Sequence, residues 1–447
     1  MQLQGTIQVD TNGHLVVGGC DTVELAAEFG TPLYVIDEAR LRQMARRYRS
    51  SFNNYYPDTK VAYAGKAMLT LAICKIIESE GLYLDVVSGG ELYTAIKADF
   101  PMEKILFHGN NKSTDELALA LDHRVGRIVV DNFYELQLLA QLAADRDQVV
   151  DVLLRISPGV EAHTHSYIQT GQLDSKFGFA IAHDVALKAV ELALKSSHLN
   201  LKGIHCHIGS QIFDISSFVP TVERMLGLVK DIAQTFNYPV SEVDLGGGLG
   251  IRYQQGDTPV GPEALAQLIA TEVDRVSSDL GIPRPTLIVE PGRSIVGEAG
   301  LTLYTVGSIK DIPGIRRYVA VDGGMNDNPR VALYQARYEA VVANRMHAAK
   351  EATVSIAGKC CESGDMLIHD IELPHLHPGD ILAVFSTGAY NYSMASNYNR
   401  LPRPAVVLVS NGQADLIVKR ETYEDLIRLD LIPQRLQKDS AVTTGRE

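Results

Sequence analysis

One lysine follows an apolar run with unusual abruptness. Val61-Ala62-Tyr63-Ala64-Gly65 ends on Lys66 before a helical pattern over 67–78. A lysine at the carboxyl end of a buried strand lies where an α/β fold gathers its reactive groups, and low dielectric there favours the neutral, nucleophilic amine. Lys66 is therefore expected to form a Schiff base. Other polar residues close similar apolar runs: Asp85 to Ser88, His108, His205, His207, Gly246-Gly247-Gly248, Glu290 and Arg293. The glycines allow backbone amides to approach an anion, as in phosphate-cradling loops, although a tight βα turn would use them equally well. Glu290-Pro291-Gly292-Arg293 adds an acid and a guanidinium, so a phosphate, a ring nitrogen and a carboxylate could each find a partner.

The elements that must hold these groups are legible as alternating apolar runs and amphipathic helices. Strands are expected to begin near Val61, Tyr83, Ile105 and Ile128, spaced by about 22 residues, and again at 150–156, 203–207, 243–246 and 287–290. Helical stretches such as 184–195 and 218–235 separate them. Eight βα units in roughly 240 residues predict a TIM (β/α)8 barrel rather than an open doubly wound sheet. Ahead of the barrel, turn signals at Asn12-Gly13 and Gly18-Gly19 divide short β-like pieces, and Tyr34-Val35-Ile36 leads to Asp37, an N-cap for a helix through Tyr48. After Pro291, strand-like runs take over at 301–310, 318–321, 353–356, 381–385 and 404–419, the last folded at Asn411-Gly412 into a type I′ hairpin. The expected organisation is a barrel over 38–300 and a second, all-β domain, a Greek-key-like sandwich or barrel, from 1–37 and 301–447. The polar tail 438–447 is expected to fray.

Composition narrows the function classes. A chain of 447 residues can bury a large core and is expected to hold two domains. The formal charge of −13 and the lack of a basic block exclude nucleic acid as a partner. No apolar run is long enough to span a bilayer, and residues 1–10 lack a signal-peptide pattern, so a cytoplasmic protein with no membrane partner is expected. Cys20, Cys74, Cys206, Cys360 and Cys361 are odd in number and lack zinc-ligand spacing. Free thiols and no metal site are expected, a bridge between adjacent Cys360 and Cys361 being strained.

Each reactive residue has a plainer use when taken singly: Lys66 as a solvated helix-start lysine, His207 as a satisfied imidazole, Cys361 as a small buried hydrophobe. Together they supply an amine, a ring-stacking face, phosphate donors, an acid and a proton donor, the set a pyridoxal phosphate enzyme needs. Their motifs run in order along nearly the whole chain: Thr31-Pro32-Leu33-Tyr34-Val35, Ala62-Tyr63-Ala64-Gly65-Lys66-Ala67, Ser175-Lys176-Phe177-Gly178, His207-Ile208-Gly209-Ser210-Gln211, the triple glycine, Glu290-Pro291-Gly292-Arg293 and Cys361-Glu362-Ser363-Gly364-Asp365. In these motifs the chain resembles the fold type III pyridoxal phosphate decarboxylases.

The resemblance implies that Lys66 carries pyridoxal 5′-phosphate, that His207 stacks on its ring and that Glu290 keeps the ring nitrogen protonated. It implies a supporting place for Asp85 beside the cofactor, with Ser210, Gly246, Gly247, Gly248, Gly292 and Arg293 around the phosphate and Tyr390 closing on it. Arg293, Arg330, Tyr334 and Tyr390 are implied to meet substrate, and Glu362 and Ser363 to recognise its distal amino acid centre. A substrate with two carboxylates and two ammonium groups needs both bidentate arginine and a carboxylate at its far end. The implied reaction is decarboxylation of meso-2,6-diaminopimelate to L-lysine and carbon dioxide, the last step of lysine biosynthesis. Relatives acting on arginine or ornithine typically carry Cys-Asp at the last motif. Such a decarboxylase stays open as an alternative, as does a non-catalytic cofactor-binding relative. Cys361 is the implied proton donor, arriving with Glu362 from the neighbouring subunit of a homodimer, and the Lys66 amine is its rival for the final proton. The chain departs from the family pattern at Val331, where proline is common, and at Lys359-Cys360, where a Gly-Pro turn is usual.

Overall fold

Eight parallel strands close into a ring in the computed structural model, which describes residues 5–160 and 175–437. Thr59–Ala64, Tyr83–Val86, Ile105–Phe107, Arg127–Val130, Val150–Ser157, Leu199–His205, Glu242–Asp244 and Thr286–Val289 each pair with the next, and the eighth pairs back to the first. These runs are short and almost wholly apolar because both faces are buried. Ala62, Leu106, Val129, Leu153 and Ile288 fill the interior of the ring.

The loops at the carboxyl ends are short, and several close on a capping residue. Thr70, Ser88, Ser113 and Asn132 each accept the backbone N–H three residues on, starting Leu71–Ser79, Gly89–Lys97, Thr114–Asp122 and Phe133–Ala144. The mouth of the barrel is thereby fixed from the helix side. Lys66 is not the first residue of a long helix; it sits in a 3₁₀ turn, Gly65–Ala67, before Leu71–Ser79 begins. The helix capped by Asp37 runs past Tyr48 to Tyr55, because Ser51 and Phe52 prolong its buried face. The sixth strand starts at Leu199 and ends at His205, leaving His207 in the loop beyond it.

The second sheet takes strands from both ends of the chain. Leu33–Asp37 pairs antiparallel with the long strand Gly300–Ile312 and parallel with Ala405–Ser410. Arg316–Val321 is parallel to Ala352–Ala357, so the sheet is mixed. Ile381–Phe385 also pairs with Gly300–Ile312. Asn411 and Gly412 have φ of 52° and 79°, the left-handed pair that the type I′ hairpin requires. Two strands of this sheet escaped the reading of apolar runs. Ala340–Val342 is only three residues long, and Met366–Leu373 presents His369, Asp370 and Glu372 outward, which breaks its apolar signal. The tail expected to fray lies outside the described residues. Among the described residues no helix is long and apolar enough to cross a membrane. All five cysteines are free thiols, and four of them are buried.

Candidate active site

A cavity of 870 Å³ opens at the carboxyl ends of the barrel strands, bounded on its far side by residues of the second sheet domain such as Arg330, Tyr334 and Tyr390. Lys66 reaches into it from the first strand, with its side chain 37% exposed and Nζ 3.8 Å from Asp85 Oδ2. The neighbouring strands place these two side by side, because Ala64 is in register with Asp85. The expected neutral amine is not what this geometry gives. Burial pulls the Lys66 pKa down, but Asp85, Tyr390 and Glu290 outweigh it and raise the net value, so the resting group is an ammonium.

The floor is anionic and short of partners. Asp85 is fully buried, and neither of its carboxylate oxygens has a hydrogen bond. Burial raises its pKa, and Glu290 adds to the rise, while His108 and Lys66 oppose it. Glu290 stands between two imidazoles: Oε1 lies 2.7 Å from His108 Nε2, off the line of a hydrogen bond, and Oε2 lies 3.3 Å from His205 Nε2. Burial alone would raise the Glu290 pKa, but His108 and His205 drive it well below the ordinary range. Burial pushes His205 down to about 3. A neutral His205 therefore donates from Nε2 to an ionised Glu290.

His207 lines the cavity beside them. Burial and the Lys66 and Arg155 cations push its pKa well below the ordinary value, and Nδ1 accepts the Gly247 N–H at 3.3 Å. The three glycines serve close backbone contact. A Cβ on Gly246 would lie 2.6 Å from the Cys206 carbonyl oxygen, one on Gly247 2.1 Å from that of Glu290, and one on Gly248 2.4 Å from that of Gly209. The tight-turn reading thus holds. Two of the amides an anion cradle would use are already engaged, Gly247 with His207 and Gly246 with Asp244 Oδ1 at 2.8 Å.

Two buried arginines form the opposite wall. Arg293 donates to Ser210 Oγ at 3.0 Å and to the Tyr253 hydroxyl at 2.6 Å, with its guanidinium 4.7 Å from the Tyr390 ring centre. Arg330 donates to the same Tyr253 hydroxyl at 2.9 Å and to that of Tyr338 at 2.5 Å. One phenol therefore couples the two cations. Tyr390, at φ 65°, donates its N–H to the Ala67 carbonyl at 2.8 Å, which ties the second domain to the turn carrying Lys66. Val331 is buried in the short helix Arg330–Tyr334. In the loop that carries Lys359-Cys360, Asp365 accepts the Cys360 N–H at 2.7 Å and closes the turn.

The cavity brings together Lys66, His207, Ser210, Glu290, Arg293, Arg330, Tyr334 and Tyr390, with Asp85 behind Lys66. It does not include Cys361, Glu362 or Ser363, which are exposed on the outside of the same chain; the Cys361 N–H donates to Asn399 Oδ1 at 2.6 Å. Sequence reasoning missed Arg155, Asp131, Tyr253 and Asp244. Arg155 stacks 4.2 Å from the Phe177 ring centre with Nε 3.7 Å from Asp131 Oδ1, and Asp131 accepts the Gly178 N–H at 3.1 Å. A charge inside an apolar strand was the available signal for Arg155, and position at a strand end for Asp244. Tyr253 lies in a loop and offered none.

Residues 39–297 match the family described as pyridoxal-dependent decarboxylase, pyridoxal binding domain. The chain is 56% identical over 431 residues to the diaminopimelate decarboxylase of Bacillus subtilis (strain 168), covering 96% of this chain and 98% of that one. It superposes with a TM-score of 0.91 and 38% identity on a crystal structure of diaminopimelate decarboxylase from M. jannaschii in co-complex with L-lysine, covering 97% and 99% of the two chains. The enzyme from Helicobacter pylori complexed with L-lysine follows at 0.84 and 32%, covering 92% and 99%. Likeness of this extent, across barrel and second sheet together, means that the chain belongs to the pyridoxal-dependent decarboxylases, within their diaminopimelate decarboxylase group.

Proposed function

We propose that the chain decarboxylates meso-2,6-diaminopimelate to L-lysine and carbon dioxide with pyridoxal 5′-phosphate as cofactor. The observation that carries this reading is Lys66 standing 3.8 Å from the buried Asp85 carboxyl, with two buried guanidiniums across the same cavity, in a chain so close to the Bacillus subtilis enzyme. The cofactor fits the residues present. Asp85 and Glu290 hold buried oxygens without hydrogen-bond partners, and a protonated ring nitrogen supplies the donor such a floor lacks. Lys66 would hold the cofactor, His207 would lie against its ring, and Glu290 and Asp85 would keep the nitrogen charged. Ser210, Arg293, Gly246, Gly247, Gly248, Gly292 and Tyr390 would surround its phosphate. When bound, pyridoxal phosphate supplies a conjugated cationic ring that accepts the electron pair left by the departing carboxylate.

The chain's own groups do the rest. Arg293, Arg330 and Tyr334 bind carboxylate, and the phenols that fill their remaining contacts keep those guanidiniums desolvated and aimed at the cavity. Asp85, 3.8 Å away, favours the charged form of Lys66, so Nζ can carry a proton into the cavity. Cys361 and the Lys66 ammonium are the two sources of the proton that replaces carbon dioxide.

Cys361, Glu362 and Ser363 serve the site of a second copy in a homodimer, Cys361 giving its proton and the other two meeting the distal amino acid centre of the substrate. What supports this is their exposure away from the cavity, together with the apolar surface nearby: Arg400, next to the Asn399 that holds Cys361, pairs with Asp430, and the adjoining Leu431 is 91% exposed. We assign the protein to the cytoplasm and take 38–300 as the barrel domain, with 1–37 and 301–447 as the second. Incubating the cofactor-loaded protein separately with meso-diaminopimelate, L-arginine, L-ornithine and L-lysine tests the function. Lysine from diaminopimelate alone is the expected result. Agmatine or putrescine would overturn the substrate, and no product in any tube would overturn the enzyme.

A further inference from the structure

Asp244 has no part in the chemistry described so far, yet it sits beneath it. It ends the seventh barrel strand with no exposed surface. Its Oδ1 accepts the Gly246 N–H, while Oδ2 is buried without a hydrogen-bond partner. One ring nitrogen each of His108 and His205 and one carboxylate oxygen each of Asp244 and Glu290 all lie within 4.8 Å of one another. The charged and titratable groups facing this chamber are Asp85 from the second strand, His108 beyond the third, Arg155 on the fifth, His205 and Cys206 at the end of the sixth, and Glu290 beyond the eighth. Among the described residues no lysine or arginine forms an ion pair with Asp244.

Two carboxyl groups this close in a buried chamber do not both ionise. Glu290 has the better claim to the charge, because His108 and His205 flank it, whereas Asp244 has a single backbone N–H. We propose that Asp244 is a neutral carboxylic acid whose Oδ2 proton is directed at Glu290, making Asp244 the positioning residue that keeps Glu290 anionic. Burial and the Glu290 charge hold the Asp244 pKa well above the ordinary value, in keeping with this assignment. A donor on Glu290 also lowers its basicity and so sets how firmly it can hold a proton on the cofactor ring. That consequence rests on the proposed role of Glu290; the protonation of Asp244 does not.

Infrared spectra of wild type and Asp244→Asn at neutral pH test the protonation, and cofactor titrations of Asp244→Asn and Asp244→Ala test the consequence. The expected result is a carbonyl band of a buried neutral carboxylic acid in wild type that the asparagine variant lacks. Asn keeps an acceptor for Gly246 and a donor for Glu290, so its pyridoxal phosphate affinity should stay within about twofold. In Asp244→Ala the loss of the donor should move the acid limb of cofactor binding up by about one pH unit. Absence of the acid band, or loss of affinity in the asparagine variant as large as in the alanine variant, would overturn the proposal. A band with an unmoved acid limb in alanine would keep the protonation and remove the influence on Glu290. Should the alanine variant not fold, the band and the asparagine titration decide.

Discussion

The two ends of the barrel handle charge in opposite ways. At the amino-terminal end Glu242 is 2.5 Å from Lys60 and 2.8 Å from Arg127, which reaches on to Asp151 at 2.8 Å. Each of these four charges has an opposite within contact. At the carboxyl-terminal end Asp85 and Glu290 are buried with oxygens unsatisfied, and the nearest lysine stands 3.8 Å from Asp85. One fold tolerates both because the strands between them are apolar and closed. The paired end contributes stability, and the unpaired end gathers the perturbed groups a reactive site needs.

Substitutions at each end should therefore register in different assays. The largest effect belongs to Lys66→Ala, which should lower lysine formation by about 10⁴-fold or more while thermal unfolding stays near wild type. Glu242→Gln should do the reverse, costing about 3 kcal/mol in urea unfolding with turnover unchanged. Burial raises the Glu242 pKa, but hydrogen bonds from Arg127 and Lys60 overcome it and lower the value to about 2 from its ordinary 4.5. A depressed folded-state pKa gives stability that is fully present above about 4.5 and lost as pH falls towards about 2. Wild type should lose up to about 3 kcal/mol across that window, and Glu242→Gln should lack that part of the acid dependence.

Smaller effects sharpen the same contrast on the far wall. Cys361→Ala should lower kcat by about 10²-fold, the scale of one proton transfer, with cofactor affinity and stability unchanged. Arg330→Lys keeps the charge but cannot reach both Tyr253 and Tyr338 while presenting a fork to carboxylate. It should raise the KM for diaminopimelate by about tenfold and leave kcat within a few-fold. Equal effects on kcat and KM would place Arg330 in the chemistry rather than in binding.

The barrel was legible because its strands are apolar runs at βα spacing, and the hairpin because only certain residues adopt the turn at Asn411-Gly412 comfortably. The reactive residues were legible as polar interruptions at strand ends. The charge on Lys66 was not, since it depends on Asp85 standing in register on another strand. Tyr253 was hidden for a related reason: its hydroxyl matters because it lies between Arg293 and Arg330, and loop sequence carries no mark of that meeting. The outward direction of Cys361 likewise follows from the fold of the 358–365 loop around Asp365, which residue types alone do not convey.

Under the proposed function, the floor of one chain works with the Cys361 loop of another to make lysine. Lys66→Ala and Cys361→Ala proteins should each be nearly inactive alone. Mixed and allowed to exchange subunits, they should release lysine from meso-diaminopimelate at about a quarter of the wild-type rate, because half of the dimers carry one intact site of two. A mixture no more active than its components, despite demonstrated exchange, would contradict the account.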